Sequence, residues 1–247
     1  AAPLPSVAQA DMPKRGERIV VTTDTLQLEL DTQGGDIRSL ELLKHAAHGD
    51  SSKPFKLMQD KVGSYYVAQS GLLGPAMPNH TNVWRASANR FEMGGNNELE
   101  VTLTSGAEGL VVEKTFAFKR GSYVIDVRYA VRNDSGSSIS PSAYFQFLRD
   151  GNPPEGESAG NFLTGGVVTF TGPAVFTDAK KFQKVDFAAI SKGKQEHIKE
   201  SSDGWIAMVQ HYFVAAWLPV GQSKREFFTR KVGDSLFSAG VILSMPP

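Results

Sequence analysis

The sequence predicts an all-β fold: a twisted antiparallel sandwich with little helix. Two observations carry this. Hydrophobic residues recur with a period of two through most of the chain, and tight-turn clusters of Gly, Asn, Asp and Ser separate the alternating runs. Alternation of this kind suits strands with one face buried and the other in water.

The alternation begins at Val20. Leu26, Leu28 and Leu30 share one face of a strand, with Thr25, Gln27 and Glu29 on the other. Gly34-Gly35 breaks that strand, and Ile37 to Leu43 reads as its hairpin partner. Leu99, Val101 and Leu103 repeat the pattern. So do Tyr123, Ile125, Val127, Tyr129 and Val131, opposite Asp126, Arg128 and Arg132, and this row is expected to face the core. Further strands are expected at Ala143 to Leu148, Val167 to Thr171, Gly204 to Gln210, Tyr212 to Leu218, Glu226 to Arg230 and Leu236 to Leu243. Lys44 to Ser52 reads as an exposed loop or short helix, and Asn152 to Asn161 as a surface loop.

Composition narrows the function classes. A chain of 247 residues is long enough to bury a core without disulfides or metals, and all-β domains of this size are common. The 26 basic and 26 acidic residues cancel, which argues against a nucleic-acid partner. With no cysteine, disulfide staples and thiolate metal sites are excluded. No apolar run reaches the roughly 20 residues of a membrane span. Residues 1–18, rich in Ala and Pro, read as a flexible tether, and residues 19–247 as a single domain.

Several short motifs suggest chemistry. Gly156-Glu157-Ser158-Ala159-Gly160 matches a hydrolase nucleophile elbow, with Asp178 or Asp186 and His197 or His211 following in the right order. That motif works only on a sharp strand-to-helix turn. Here Pro153-Pro154 precedes it and no amphipathic helix follows, so the segment reads as a loop of small residues. In a helical turn His45 and His48 would share one side, near Asp50, but zinc needs a third and usually a fourth ligand, and none is evident. No glycine-rich phosphate loop lies between a strand and a helix. No cofactor, metal site or catalytic residue is therefore assigned. Tyr144, Phe145, Phe147, Phe170, Phe176 and Phe182 concentrate aromatic surface in the middle of the chain. They are the candidate partner-binding residues, suited to lining a groove for an extended ligand or peptide. The plainer alternative is that they fill the sandwich core.

Three segments carry a family resemblance. They are Thr23-Asp24-Thr25-Leu26-Gln27-Leu28-Glu29-Leu30 running on to Gly34-Gly35-Asp36-Ile37, then Val112-Glu113-Lys114-Thr115-Phe116-Ala117-Phe118-Lys119-Arg120-Gly121-Ser122-Tyr123, then Gly204-Trp205-Ile206-Ala207-Met208-Val209-Gln210-His211-Tyr212-Phe213 ending at Ala216-Trp217-Leu218-Pro219. With Tyr66 to Gly71, and in one register from about Val20 to Leu243, they resemble the large periplasmic domain of the YidC membrane protein insertases of Gram-negative bacteria.

The resemblance implies a twisted β-supersandwich similar to sugar mutarotases and carbohydrate-binding proteins. It implies a place in the periplasm between a first transmembrane helix and an insertase core, both absent from this sequence. The family's closing strand and the helical segment after it are expected beyond Pro247. The implied role is non-catalytic: a chaperone-like docking or scaffolding platform near the Sec translocon, with the SecD–SecF accessory subunits as partners. The alternative is a carbohydrate- or peptide-binding module. A mutarotase-like enzyme ranks third; it would need a general acid and base, for which His197 or His211 and Glu196, Glu200 or Glu226 are the late candidates.

Ser158 is expected to be inert. A fluorophosphonate probe should label the protein no more than it labels Ser158→Ala. Labelling that the substitution abolishes would establish a nucleophile.

Overall fold

The structure is a computed structural model and describes residues 15–107, 109–153, 170–210 and 212–244. Strand is the dominant regular structure of the described residues, whose one helix has five residues, so the all-β class and the antiparallel pairing agree with the sequence. The Gly156–Gly160 motif, His211 and most of the expected tether lie outside the described residues. The chain divides into two compact units, Ala1–Asp60 with Val67–Pro141, and Lys61–Tyr66 with Ser142–Met245.

The first unit holds β1 (Arg18–Thr22), β2 (Leu26–Asp31), β3 (Asp36–Ala47), β4 (Asp50–Lys61), β5 (Ser64–Leu73), β6 (Arg85–Ala86), β7 (Arg90–Glu92), β8 (Glu98–Ala107), β9 (Leu110–Lys119) and β10 (Ile125–Asn133). The first three residues of β5 belong to the second unit. One sheet runs in the order β5-β4-β3-β2-β1-β7, and a second, four-stranded sheet runs β10-β9-β8-β6. Pairing is antiparallel apart from the short parallel ladder of β1 with β7.

The alternation predicted for β2 is realised: Leu26, Leu28 and Leu30 are buried, and Gln27 between them is exposed. Residues 44–52 differ from expectation. Instead of a loop or helix, they form the end of β3, a turn at Gly49 with φ 78°, and the start of β4. Their side chains are mostly exposed on this hairpin tip, so no buried face imposes the alternation that would have announced a strand. β10 also differs. Tyr123 precedes it and is exposed, and Ile125, Val127 and Val131 are half-buried rather than core. The reason is position: β10 is the outer strand of its sheet, and the buried row lies one strand inward at Val112, Phe116 and Phe118 of β9.

A fourth inward position on β9 is Lys114, which is fully buried. Its ammonium donates to the carbonyl oxygens of Gly35 at 2.6 Å, Ser70 at 3.3 Å and Gly34 at 3.4 Å. The same nitrogen stands 5.4–5.8 Å from the ring centroids of Phe116, Trp84 and Tyr129. Carbonyl dipoles and ring faces both favour the charged form. Gly35 permits the approach: its φ is +58°, and a Cβ there would meet Lys114 and Trp84 side-chain atoms at 3.4 Å.

Beside this lysine lies a chain of charges, buried at Asp31, Asp36 and Arg38 and half-buried at Arg18. Arg38 pairs with Asp36 at 3.3 Å and reaches Asp31 at 4.0 Å, Gln69 donates to Asp36 at 2.8 Å, and Arg18 pairs with Asp31 at 3.3 Å. Burial raises the Asp36 carboxyl to about 6 against the pull of Arg38 and Lys114, and burial lowers Lys114 to about 8.

The second unit holds β11 (Ser142–Asp150), β12 (Thr171–Thr177), β13 (Lys181–Lys184), α1 (Phe187–Ser191), β14 (Glu200–Ser201), β15 (Trp205–Gln210), β16 (Phe213–Trp217), β17 (Arg225–Lys231) and β18 (Leu236–Ser244). Its sheets run β14-β17-β18-β11 and β13-β12-β15-β16. The segment from Trp205 to Trp217 is the strand hairpin preferred over a helix, with Ile206 opposite Trp217 and Gln210 opposite Phe213.

Two predictions follow from this packing. Phe116→Ala should cost about 3–5 kcal/mol in urea unfolding, and Ile125→Ala well under that; equal losses would place β10 in the core. Lys114→Met should cost about 3–5 kcal/mol near pH 8, because it leaves the buried carbonyls of Gly34, Gly35 and Ser70 without their donor and removes one of the two positive charges that favour ionised Asp36. The raised Asp36 pKa means that stability from this group is present at low pH and lost as pH rises through about 6. Without Lys114 the carboxyl titrates higher still, so the defect should shrink between pH 8 and pH 5. A pH-independent defect would show that Asp36 and Lys114 are not coupled.

Candidate partner-binding face

In the sheet β13-β12-β15-β16, strict alternation sorts the side chains onto two faces. Phe176 lies opposite Trp205 on β15 and Phe182 on β13, Ala174 lies opposite Ala207, and Val209 lies opposite Val214 on β16. These residues share one face. Val175, Ile206, Met208 and Thr177, all fully buried, occupy the other. The two faces have different roles. The buried one is the core of the second unit, where Trp217 stacks on Phe147 with ring centroids 5.5 Å apart.

The other face is aromatic and partly open, with Ala174 and Ala207 at its centre fully buried. Phe176 stacks on Trp205 at 5.4 Å and 11°, and Phe182 leans on the same indole at 6.0 Å. Phe182 is 47% exposed and Val214 57%. Phe176, Trp205 and Val209 are half-buried. Phe170 precedes β12 and carries Lys184 over its ring at 5.0 Å. These partly exposed apolar side chains make the face the candidate partner-binding surface.

The six candidate residues therefore separate. Phe176 and Phe182 come together on the open face, with Phe170 just before β12. Tyr144 and Phe147 are buried at 0% and 2% exposure, and Phe145 lies against Trp217 at 5.1 Å. Sequence reading missed Trp205 and Val214 as members of the face. The signal was present in the alternation of Trp205, Ala207 and Val209, but it acquires meaning only with the cross-strand register.

Among the described candidates for acid–base chemistry, His197 and Glu200 are engaged in separate contacts. His197 is buried. Its Nδ1 donates to the Ile198 carbonyl at 2.8 Å, which leaves Nε2 to accept from the Thr229 hydroxyl at 3.1 Å and the Lys199 ammonium at 3.0 Å. Burial lowers its pKa, and the Lys199 charge adds to the effect. The ring is thus held neutral with both nitrogens engaged. Glu200 pairs with Lys224 at 3.1 Å on the surface. His45 meets the Tyr123 hydroxyl at 3.2 Å, and no metal-binding cluster occurs among the described residues.

With the geometry in place, comparison with known proteins identifies the lineage. A family model described as the YidC periplasmic domain matches residues 18–246. The chain belongs to the YidC periplasmic domain family. A membrane protein insertase YidC from Aromatoleum aromaticum is 48% identical over 228 residues, covering 92% of this chain and 40% of the relative. One from Herminiimonas arsenicoxydans is 41% identical over 241 residues, covering 98% of this chain and 42% of the relative. The chain thus spans about two-fifths of the length of these YidC relatives, and family membership makes it a periplasmic domain of a bacterial inner-membrane protein. Among solved structures, a galactose mutarotase related enzyme from Lactobacillus acidophilus aligns over 93% of this chain and 97% of its own, at 10% identity and a TM-score of 0.46. That likeness is too loose to carry any inference about chemistry.

His197 should titrate below an ordinary histidine and keep its proton on Nδ1 when neutral. Nitrogen-resolved NMR across pH 4–8 reads both properties. A titration near 6.5 or above, or an Nε2–H tautomer, would show that the ring is not locked as described.

Proposed function

We propose that this domain is the non-catalytic docking platform of a membrane protein insertase and chaperone, holding the insertase core beside the Sec translocon. The observation that supports this most is the open face of Phe176, Phe182, Trp205, Val209 and Val214, on a sheet whose opposite face already supplies the core. The proposed partners are the periplasmic parts of the SecD–SecF accessory subunits. Membrane attachment raises the effective concentration of neighbouring subunits, so a contact of modest intrinsic affinity suffices. Zero net charge and an apolar surface imply modest dependence on salt. Aromatic rings at a surface also suit stacking on sugars, which keeps carbohydrate binding as the alternative for the same face.

Photo-crosslinking side chains at Phe182 and Val214 of the full-length insertase, in native membranes, test the docking proposal. Capture of SecD or SecF is expected, with similar yields at low and high salt. Capture only from positions on the first unit would move the contact elsewhere. Capture from no position would defeat docking, and sugar titration against Trp205 fluorescence would then become the relevant measurement.

A further inference from the structure

The sheet edges of the described residues are unequal. At the ends of the sheets stand β6, β7, β13, β14 and β16, of two, three, four, two and five residues. Short edges are how soluble proteins avoid pairing with other strands. β10 breaks the pattern. It is an edge strand of nine residues, and its ladder with β9 runs unbroken from Ile125 to Asn133 without a register shift. It carries no proline, and no lysine guards it. Its inward row of Ile125, Val127 and Val131 is only half-buried.

The charges on β10 select a partner. Asp126, Arg128 and Arg132 all project from the exposed face. When a second β10 pairs antiparallel with the first and the two-fold axis passes at Tyr129, Asp126 stands opposite Arg132 of the other copy. Symmetry makes that pair twice. In the same register Arg128 faces Ala130, Val127 faces Val131, and all nine residues are matched. Shifting the centre to Arg128 sets Arg128 against itself. Shifting it to Ala130 sets Arg128 against Arg132 and Asp126 against Asp134. Shifting it to Val127 keeps an Asp126–Arg128 pair but leaves only five residues of strand overlap. Opposite charges across strands stabilise and like charges destabilise, so the sequence favours one register.

We propose that β10 is a self-association edge, through which two copies of this chain join their four-stranded sheets with Tyr129 at the two-fold axis. The exposed Arg132–Asp134 contact at 3.1 Å is solvated, and exchanging it for Asp126 of the second copy costs little. Main-chain hydrogen bonds supply the attraction, the half-buried row gains cover, and the charges set the register. The proposal is independent of the docking face, which lies in the other unit.

The test uses the full-length insertase in its membrane. In an Arg128→Cys/Ala130→Cys variant, residue 128 of one copy faces residue 130 of the other, and this chain contributes no other cysteine. Oxidation, or a short bis-thiosulfonate bridge, should give a covalent species of doubled mass. Adding Asp126→Arg should lower its yield about ten-fold, since two attractive pairs become repulsive. Further addition of Arg132→Asp should restore it. All four side chains are exposed, so folding is preserved. Absence of the dimer, a bridge within one chain, a bridge to a different protein, or a dimer indifferent to charge reversal would each overturn the proposal.

Discussion

The ammonium of Lys114 sits where the Gly34-Gly35 turn, β5 and β9 meet, and the first unit closes around it. A buried charge is costly unless its hydrogen bonds are met. Here they are met by main-chain oxygens from two segments far apart in sequence. The turn that opens β3 therefore cannot move without stranding a charge, and β9 cannot slip by one residue without expelling it. The rings of Trp84, Phe116 and Tyr129 wall the site, and Tyr129 is tied in turn to Ser70 at 2.8 Å. This polar knot gives the unit a fixed register, which hydrophobic burial alone specifies less sharply.

From that register comes the placement of what faces outward. Because Tyr129 is drawn toward Lys114, alternation turns Asp126, Arg128 and Arg132 of β10 to solvent. The same logic acts in the second unit, where a fully buried row on β12 and β15 forces Phe176 and Trp205 onto the open side. Aromatic surface is therefore displayed as a consequence of core packing on the reverse of the sheet. The family gives this display a setting, the periplasmic side of a bacterial inner membrane.

Much of the fold was legible because period-two alternation and turn residues are local signals. The β2–β3 hairpin, β11, the β15–β16 hairpin, β17 and β18 all follow from them. The tip of the β3–β4 hairpin did not, because exposure on both faces erases alternation. Edge position was invisible too. The row on β10 reads as core from its pattern, and only the strand order reveals that nothing among the described residues pairs beyond it. The candidate face was half legible for a similar reason. Composition singled out Phe170, Phe176 and Phe182 together with Tyr144, Phe145 and Phe147, but only cross-strand register separates the open group from the buried one. Lys114 was hidden by its type. It occupies the inward parity of Val112 and Phe116, yet a lysine is ordinarily read as solvated.

The account depends most on that lysine being charged, buried and fixed. Nitrogen-detected NMR of the Lys114 side chain reads all three at once. The expected signal is an ammonium at neutral pH, protected from solvent exchange and titrating near 8, below an ordinary lysine. A rapidly exchanging ammonium that titrates like free lysine would place Lys114 in water and contradict the architecture described for the first unit.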